Sequence, residues 1–292
     1  MRHDLVLGYI HGYQWETIAP FVNSLRDSGF SGGISLFASG IDRKTKTTIQ
    51  TRGIKVLDSH FRKSSFRKWM AKRWGVLKTV PFPIRRRILK LIMDIVMLRY
   101  FLYEEYLSRH GENYRYVLLS DIRDVIFQNN PFTNIACGGV HFFEEAVGRT
   151  IASEPYNSGW MRALFGERVF LEFAEKPIIC AGTILGESRA LAAFLSHLIR
   201  ILATVRVFQS HGDQATINVA VRRYKNDEIY IHKNGESTVL TMGIMPLSDI
   251  CLDDRGQIVC PDGRVIPVLH QYDRHPSVCR KAAVLQKWLC PN

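Results

Sequence analysis

Residues 120–128 run Ser-Asp-Ile-Arg-Asp-Val-Ile-Phe-Gln, and they place two carboxylates, Asp121 and Asp124, directly after the apolar run Tyr116-Val117-Leu118-Leu119. The run has strand character, and Asn129-Asn130-Pro131 beyond it has turn character. The acids therefore fall where a buried strand ends, and in open α/β sheets that carboxyl end is where ligands bind. Three residues apart, they cannot share a face of a straight strand, whose side chains alternate with period two. In a tight turn they can converge on one hard cation, which takes oxygen ligands and bridges readily to phosphates. The bland reading is equally available from the residues alone: Asp121 caps the turn and Arg123 pairs with one of the acids.

Other residues could do chemistry further along. The stretch Cys180-Ala181-Gly182-Thr183 reads as a strand of small residues, and a glycine in mid-strand marks a close approach of something to the backbone. Asp213-Gln214 opens a helical run, either as an N-cap or as a polar pair facing a ligand. A late strand delivers His270, followed by Gln271, Asp273 and Arg274; a core histidine bonded to a carbonyl is the alternative there. Arg99 lies on an apolar helix, where an unpaired charge is costly. It must reach a phosphate or an acid, Asp94 and Glu105 being acids on its own helix.

The elements that must hold these residues follow a strand–helix–strand rhythm. Residues 5–10 read as a first buried strand, 15–28 as an amphipathic helix, 33–38 and 53–57 as further strands, which implies a parallel sheet of the doubly wound type. A long buried helix is expected over 85–109, then the strand ending in the acids. The second half reads as a strand at 140–143, a helix over 157–173, the small-residue strand at 177–186, a serine-capped helix over 188–206, helix from 213 to 221, and strands at 228–232 and 265–269. No flexible linker separates the halves, so one continuous domain is expected, with 1–132 and 133–292 sharing a sheet.

Composition bounds the partners. The chain has 292 residues, 46% of them apolar and 11% aromatic, enough for a large core. Its formal charge is +12, and residues 61–90 hold eleven Lys and Arg without one acid, so the imbalance belongs to one stretch. Within it Phe66, Trp69, Met70 and Trp74 recur at helical spacing among Arg67, Lys68, Lys72 and Arg73. Such a basic amphipathic insertion suits an anionic membrane surface, and its charges have no folding rationale of their own; a solvated helix with core-packed tryptophans is the alternative. No nucleic-acid-binding motif accompanies the charge, so nucleic acid is not expected as a partner. The six cysteines lack CxxC spacing, no signal region opens the chain, and no stretch reaches the roughly 18–20 uncharged apolar residues of a membrane span. The expectation is a reduced cytoplasmic protein, peripheral on the inner face of a membrane.

Taken in order, these motifs resemble the GT-A glycosyltransferases, which use nucleotide-diphosphate sugars and carry an Asp-x-Asp metal motif. The similarity extends over the whole chain: the acids ending a strand, Asp124-Val125-Ile126-Phe127 running on to Asn130-Pro131-Phe132, the small-residue strand, Asp-Gln opening a helix, and a late histidine. One departure stands out, because Asp121-x-x-Asp124 replaces Asp-x-Asp and Ile122 occupies the position of the first acid. The resemblance implies a GT-A-like mixed sheet with helices on both faces and transfer of a hexosyl or related sugar to a glycan or glycolipid hydroxyl. It implies Mn2+ or Mg2+ held by Asp124 and His270, with Asp121 as a water-mediated ligand or a ribose contact. It makes Tyr9, Arg99, Asp121, Arg123, Gly182 and Thr183 donor-binding, with Tyr9 placed to stack on the base and Gly182 beside the sugar ring. Asp213 and Gln214 become the catalytic positioner or base. The altered spacing also fits a catalytically silent nucleotide-sugar or glycan-binding protein on the same fold.

Overall fold

In a computed structural model, residues 2–59, 61, 79–133, 135, 137–205, 212–260, 262–279, 282 and 287–288 are described. The first strand, β1 (His3–His11), is followed by helix α1 (Trp15–Asp27), strand β2 (Gly33–Ser39), helix α2 (Arg43–Thr51) and strand β3 (Lys55–Asp58). Helices α3 (Phe82–Ile92) and α4 (Ile95–His110) lead to β4 (Tyr114–Ser120) and the short β5 (Val125–Phe127). Next come β6 (Val140–Glu144), α5 (Pro155–Phe165), α6 (Glu167–Phe173), β7 (Ile179–Glu187), α7 (Ser188–Leu202) and α8 (Asp213–Arg223). The chain closes through β8 (Ile229–His232), β9 (Val239–Thr241), the hairpin of β10 (Cys251–Leu252) and β11 (Ile258–Val259), and β12 (Val268–His270).

Strands from both halves form one seven-stranded sheet in the order β3-β2-β1-β4-β7-β6-β8. The fold is mixed α/β in a single domain. The sheet is not parallel throughout: β3, β2, β1 and β4 run together, but β7 lies antiparallel to both β4 and β6. Its alternating side chains feed two cores. Leu5, Leu7, Val117 and Leu119 pack under α4, α7 and α8, while Val6, Ile10 and Leu118 pack with Ile18 and Phe21 of α1. Helices therefore cover both faces, as period-two alternation in buried strands requires.

Several elements differ from the sequence expectation. The long helix over 85–109 is two helices, because Met93 and Asp94 are extended (ψ 148° and 159°) and the Asp94 carboxylate accepts from Val96 N–H to start α4. The helix over 157–173 is also two, broken where Gly166 adopts φ +84°, a conformation open to glycine at little cost. Ser188 is the first residue of α7, not its cap; Glu187 holds the cap position, and α7 ends at Leu202, with 206 outside the described residues. Helix α2 escapes the pattern because only Thr45 and Ile49 of Arg-Lys-Thr-Lys-Thr-Thr-Ile-Gln-Thr are buried; Asp42 caps it, accepting from Thr45 N–H at 2.6 Å.

A second sheet of three strands, β5-β12-β9, stands against the first. Strand β12 pairs antiparallel with β5 and parallel with β9, which sets His270 opposite both Val125 and Thr241. This register matters most for the site, because Val125 follows Asp124 directly.

The basic stretch falls largely outside the described residues, including Phe66, Arg67, Lys68, Trp69, Met70, Lys72, Arg73 and Trp74. Its described end, α3, corrects one expectation: Arg86 pairs with Glu104, and Lys90 with Glu105 at 2.6 Å, so two of these charges do have folding partners on α4. No helix among the described residues is long and apolar enough to cross a membrane. Of the cysteines described, 137, 180, 251 and 260 are free thiols.

Candidate metal centre and its two cavities

Strand β4 ends at Ser120, and antiparallel pairing sets Ser120 opposite Thr183. The chain then turns, and Asp121 N–H donates to Gly182 O at 2.7 Å, fixing the first acid over β7. Asp124 comes three residues later, just before β5, and Gln271 N–H donates to Asp124 O at 2.7 Å, tying the second acid to the end of β12. His270 is thereby delivered between the two carboxylates. One ligand atom from each of Asp121, Asp124 and His270 lies within 4.8 Å of the others.

The electrostatics of this cluster are unbalanced. Burial and then the neighbouring Asp121 charge push the Asp124 carboxyl up. Burial opposes the charge of Asp121 too, but Arg99 and then His270 outweigh it and hold this carboxyl well below its usual range. Burial would lower His270, yet the Cys180 thiol and Asp121 outweigh burial and hold the imidazole well above its ordinary value. His270 is 1% exposed, and its Nε2 makes no hydrogen bond among the described residues; the closest carboxylate oxygen, Asp121 Oδ2, is 3.6 Å away. A buried polar atom without a partner is costly and calls for an explanation. On its other side, His270 Nδ1 lies 3.4 Å from both Cys180 Sγ and Thr241 Oγ1, which fix the ring's orientation. The imidazole nitrogen and two carboxylates fit a divalent cation that draws further ligands from water and phosphate. The core-histidine alternative does not describe Nε2, which bonds no carbonyl among the described residues.

Gly182 makes this packing possible. A Cβ there would fall 2.3 Å from His270 Cε1, 2.4 Å from Nε2 and 2.8 Å from Asp121 Oδ2. The close approach anticipated at this glycine is made by the protein's own His270 and Asp121 side chains. Thr183, one residue on, is fully buried and lines neither cavity described below, so it stands apart from the expected donor contacts.

Arg99 reaches in from α4. Its partners are neither Asp94 nor Glu105: it forms an ion pair with Asp121 and, through Nη2, another with Asp213 Oδ2 at 2.8 Å. Asp213 is the first residue of α8, where Gly212 holds the cap position. Burial raises the Asp213 carboxyl against the opposing Arg99 charge. Arg123 is more exposed and pairs with Asp124 at 3.4 Å and Asp273 at 3.2 Å, in line with the bland expectation for that residue.

Two cavities meet at this cluster, both touching Asp121, Arg99, Gln271 and Arg274. The smaller, 330 Å³, lies at the carboxyl end of β1 and is lined by Tyr9, His11, Tyr13, Arg123 and Asp124. Tyr9 lines this cavity, its hydroxyl bonded to Ser39 Oγ at 2.8 Å and Ser59 Oγ at 3.1 Å. The larger, 570 Å³, extends past His270 and Gly182 to Asp213, Gln214, Glu145, Tyr156 and Trp160. Gln271 between them has φ +56°, the one left-handed non-glycine among the described residues, and such strain is held at functional sites when the surroundings enforce it.

Sequence reasoning missed Glu145. Gln214 Nε2 donates to its Oε2 at 2.9 Å and Asn157 Nδ2 donates to the same oxygen at 3.2 Å, while Gln214 Oε1 accepts from Ala181 N–H at 3.3 Å. Burial pushes the Glu145 carboxyl up, and its amide partners only partly offset this. The available signal was Glu144-Glu145 directly after an apolar strand, the arrangement that drew attention to Asp121. No known family model matches this chain, and no curated protein sequence matches it.

Proposed function

We propose that this protein is a glycosyltransferase of GT-A type, moving a sugar from a nucleoside-diphosphate donor to a hydroxyl of a glycan or glycolipid. The observation that carries the reading is the cluster of Asp121, Asp124 and buried, unbonded His270 Nε2 at the junction of two cavities. Those three residues would hold Mn2+ or Mg2+, which when bound neutralises charge growing on a departing diphosphate. The nucleotide belongs in the smaller cavity, where Tyr9 and Tyr13 offer rings to a base and Arg123 and Arg274 offer cations to phosphate. The donor sugar and the acceptor share the larger one.

In the transfer, the bond between the anomeric carbon and the phosphate oxygen breaks, and its electron pair stays on phosphate. The acceptor oxygen forms the new bond and its proton leaves to a carboxylate. Glu145 suits that role better than Asp213, because its partners are neutral amides, whereas Asp213 Oδ2 is tied to the Arg99 guanidinium at 2.8 Å. Gln214 becomes a positioning residue for Glu145. The basic stretch at 61–90 would bring the enzyme to an anionic surface where lipid-linked acceptors lie.

A binding protein without turnover is the second reading, favoured by the Asp121-x-x-Asp124 spacing and by Arg99 already pairing with Asp121. Incubation with a panel of nucleotide sugars and Mn2+ separates the two. Release of nucleoside diphosphate that stops with chelator and in Asp124→Asn supports transfer. Binding of the same donors with no product supports the second reading, and neither binding nor release removes both.

A further inference from the structure

We infer that Tyr156 and Trp160 form a stacking platform for a pyranose ring of the acceptor, an inference that rests on the transferase reading above. The two aromatics are four residues apart on α5 and so occupy one face of the helix. Both line the larger cavity, with ring centroids 6.0 Å apart and planes tilted by 35°. Tyr156 is 72% exposed, while the largest aromatic side chains of the core are sealed away from water. An exposed aromatic ring lining the same cavity as Asp121, Glu145 and Asp213 is suited to a ligand that is apolar on one side and polar on the other.

A pyranose chair has that character, presenting C–H bonds on a face and hydroxyls around its edge. The same helix supplies the polar half: Asn157, one residue beyond Tyr156, orients Glu145 from within. Both amide bonds to Glu145 fall on Oε2, which leaves Oε1 to accept from a sugar hydroxyl. The two rings are tilted by 35° and so form a shelf that offers no single flat face to a base, and in the reading above the base has Tyr9 and Tyr13 in the other cavity. A ring seated on this shelf lies with its edge toward Glu145, the group assigned to take the acceptor proton.

The test is saturation-transfer NMR of the full chain, with diamagnetic Mg2+ and a nucleoside diphosphate present, against methyl glycosides of glucose, galactose and mannose in both anomeric forms. Transfer should concentrate on the C–H protons of one ring face of at least one glycoside. It should fall roughly tenfold in Tyr156→Ala, as expected for loss of a stacked aromatic anchor. Trp160 is partly buried, so Trp160→Phe is the informative change there: it keeps the packing and should weaken transfer measurably. Both variants should keep the wild-type rise in melting temperature with nucleoside diphosphate and Mn2+. Absence of transfer to every pyranoside in the wild type, or undiminished transfer in Tyr156→Ala, overturns the platform. Loss of the nucleoside diphosphate effect in the wild type with pyranoside binding intact would instead overturn the donor reading and leave the platform standing.

Discussion

Replacing Gly182 by alanine tests the packing on which the whole site depends. The added Cβ would lie 2.3 Å from His270 Cε1, whereas ordinary contact begins near 3.4 Å. Relief therefore requires a movement of about 1 Å, in an interior that is close-packed and yields little. The imidazole cannot retreat freely, because Cys180 and Thr241 flank Nδ1 and β12 is paired on both sides. Asp121 is fixed as well, by its own N–H on Gly182 O and by Arg99. Overpacking of this kind costs about 1–3 kcal/mol. Elsewhere, Gly to Ala at a compatible backbone position gains about 0.4–1 kcal/mol by restricting the unfolded chain. The clash should win, giving a lower urea midpoint with an unchanged m-value. Displacing two of three ligand groups should also weaken Mn2+ binding on the order of 10–100-fold, the scale seen when groups that orient ligands are lost. Calorimetric titration with Mn2+ and urea unfolding on the same sample provide both readings. An alanine variant that binds Mn2+ like the wild type, or is more stable than it, would refute the account of why glycine stands at 182.

Other expectations follow from the same geometry. Arg99→Met strips Asp121 and Asp213 of their shared cation and should destabilise by about 3–5 kcal/mol, the range for breaking a buried pair. Asp121, held low by Arg99, contributes stability above the ordinary carboxylate range that is lost as pH falls through its depressed value. The gap between wild type and Arg99→Met should therefore narrow only as pH falls below the ordinary aspartate range; thermal melts at neutral pH and at about pH 3 showing a constant gap would contradict the pairing. Glu145 must be ionised to take a proton, and burial raises its carboxyl, so the acid limb of kcat/KM should sit above the ordinary glutamate range. Glu145→Gln should abolish that limb and slow transfer by about 10²–10⁴-fold, the usual worth of a general base; an unaltered pH profile would exclude it from that role. Each Lys or Arg near an anionic leaflet contributes about 1 kcal/mol, so the chain should co-sediment with anionic vesicles at low salt. Changing Arg67, Lys68, Lys72 and Arg73 to Gln should weaken this, and equal partitioning onto neutral vesicles would count against the membrane expectation.

Much of the framework was legible because burial leaves a plain mark. The runs that became β1, β2, β4 and β7 are continuous apolar stretches, and α1 carries apolar residues at helical spacing. Strand direction leaves no such mark, so the antiparallel insertion of β7 could not be read from Ile179–Glu187. The second sheet was hidden for a different reason: a strand was expected at 265–269 and is found at Val268–His270, but its partners β5 and β9 are three residues each, too short for any period. Without those partners, His270 could be suspected only from its order in the chain and its place between a strand and Gln271, Asp273 and Arg274, and its meeting with Asp124 depended on a register that pairs it with Val125. Arg99 shows the same limit. Its burial signalled a partner, but the partners come from 22 and 114 residues away, beyond any local pattern. Glu145 was overlooked because one acid after a strand is common, and only its amide bonds from Asn157 and Gln214 distinguish it.

The central claim is that Asp121, Asp124 and His270 hold a cation against a diphosphate, which makes the two ligands depend on each other. Calorimetric titration of Mn2+ into the protein with and without a nucleoside diphosphate measures that coupling. Mn2+ should bind more tightly when the diphosphate is present, by the same factor as the diphosphate gains from Mn2+, and the coupling should vanish in Asp124→Asn while the fold persists. Two ligands that bind independently, or an Asp124→Asn variant that couples them as the wild type does, would contradict the claim.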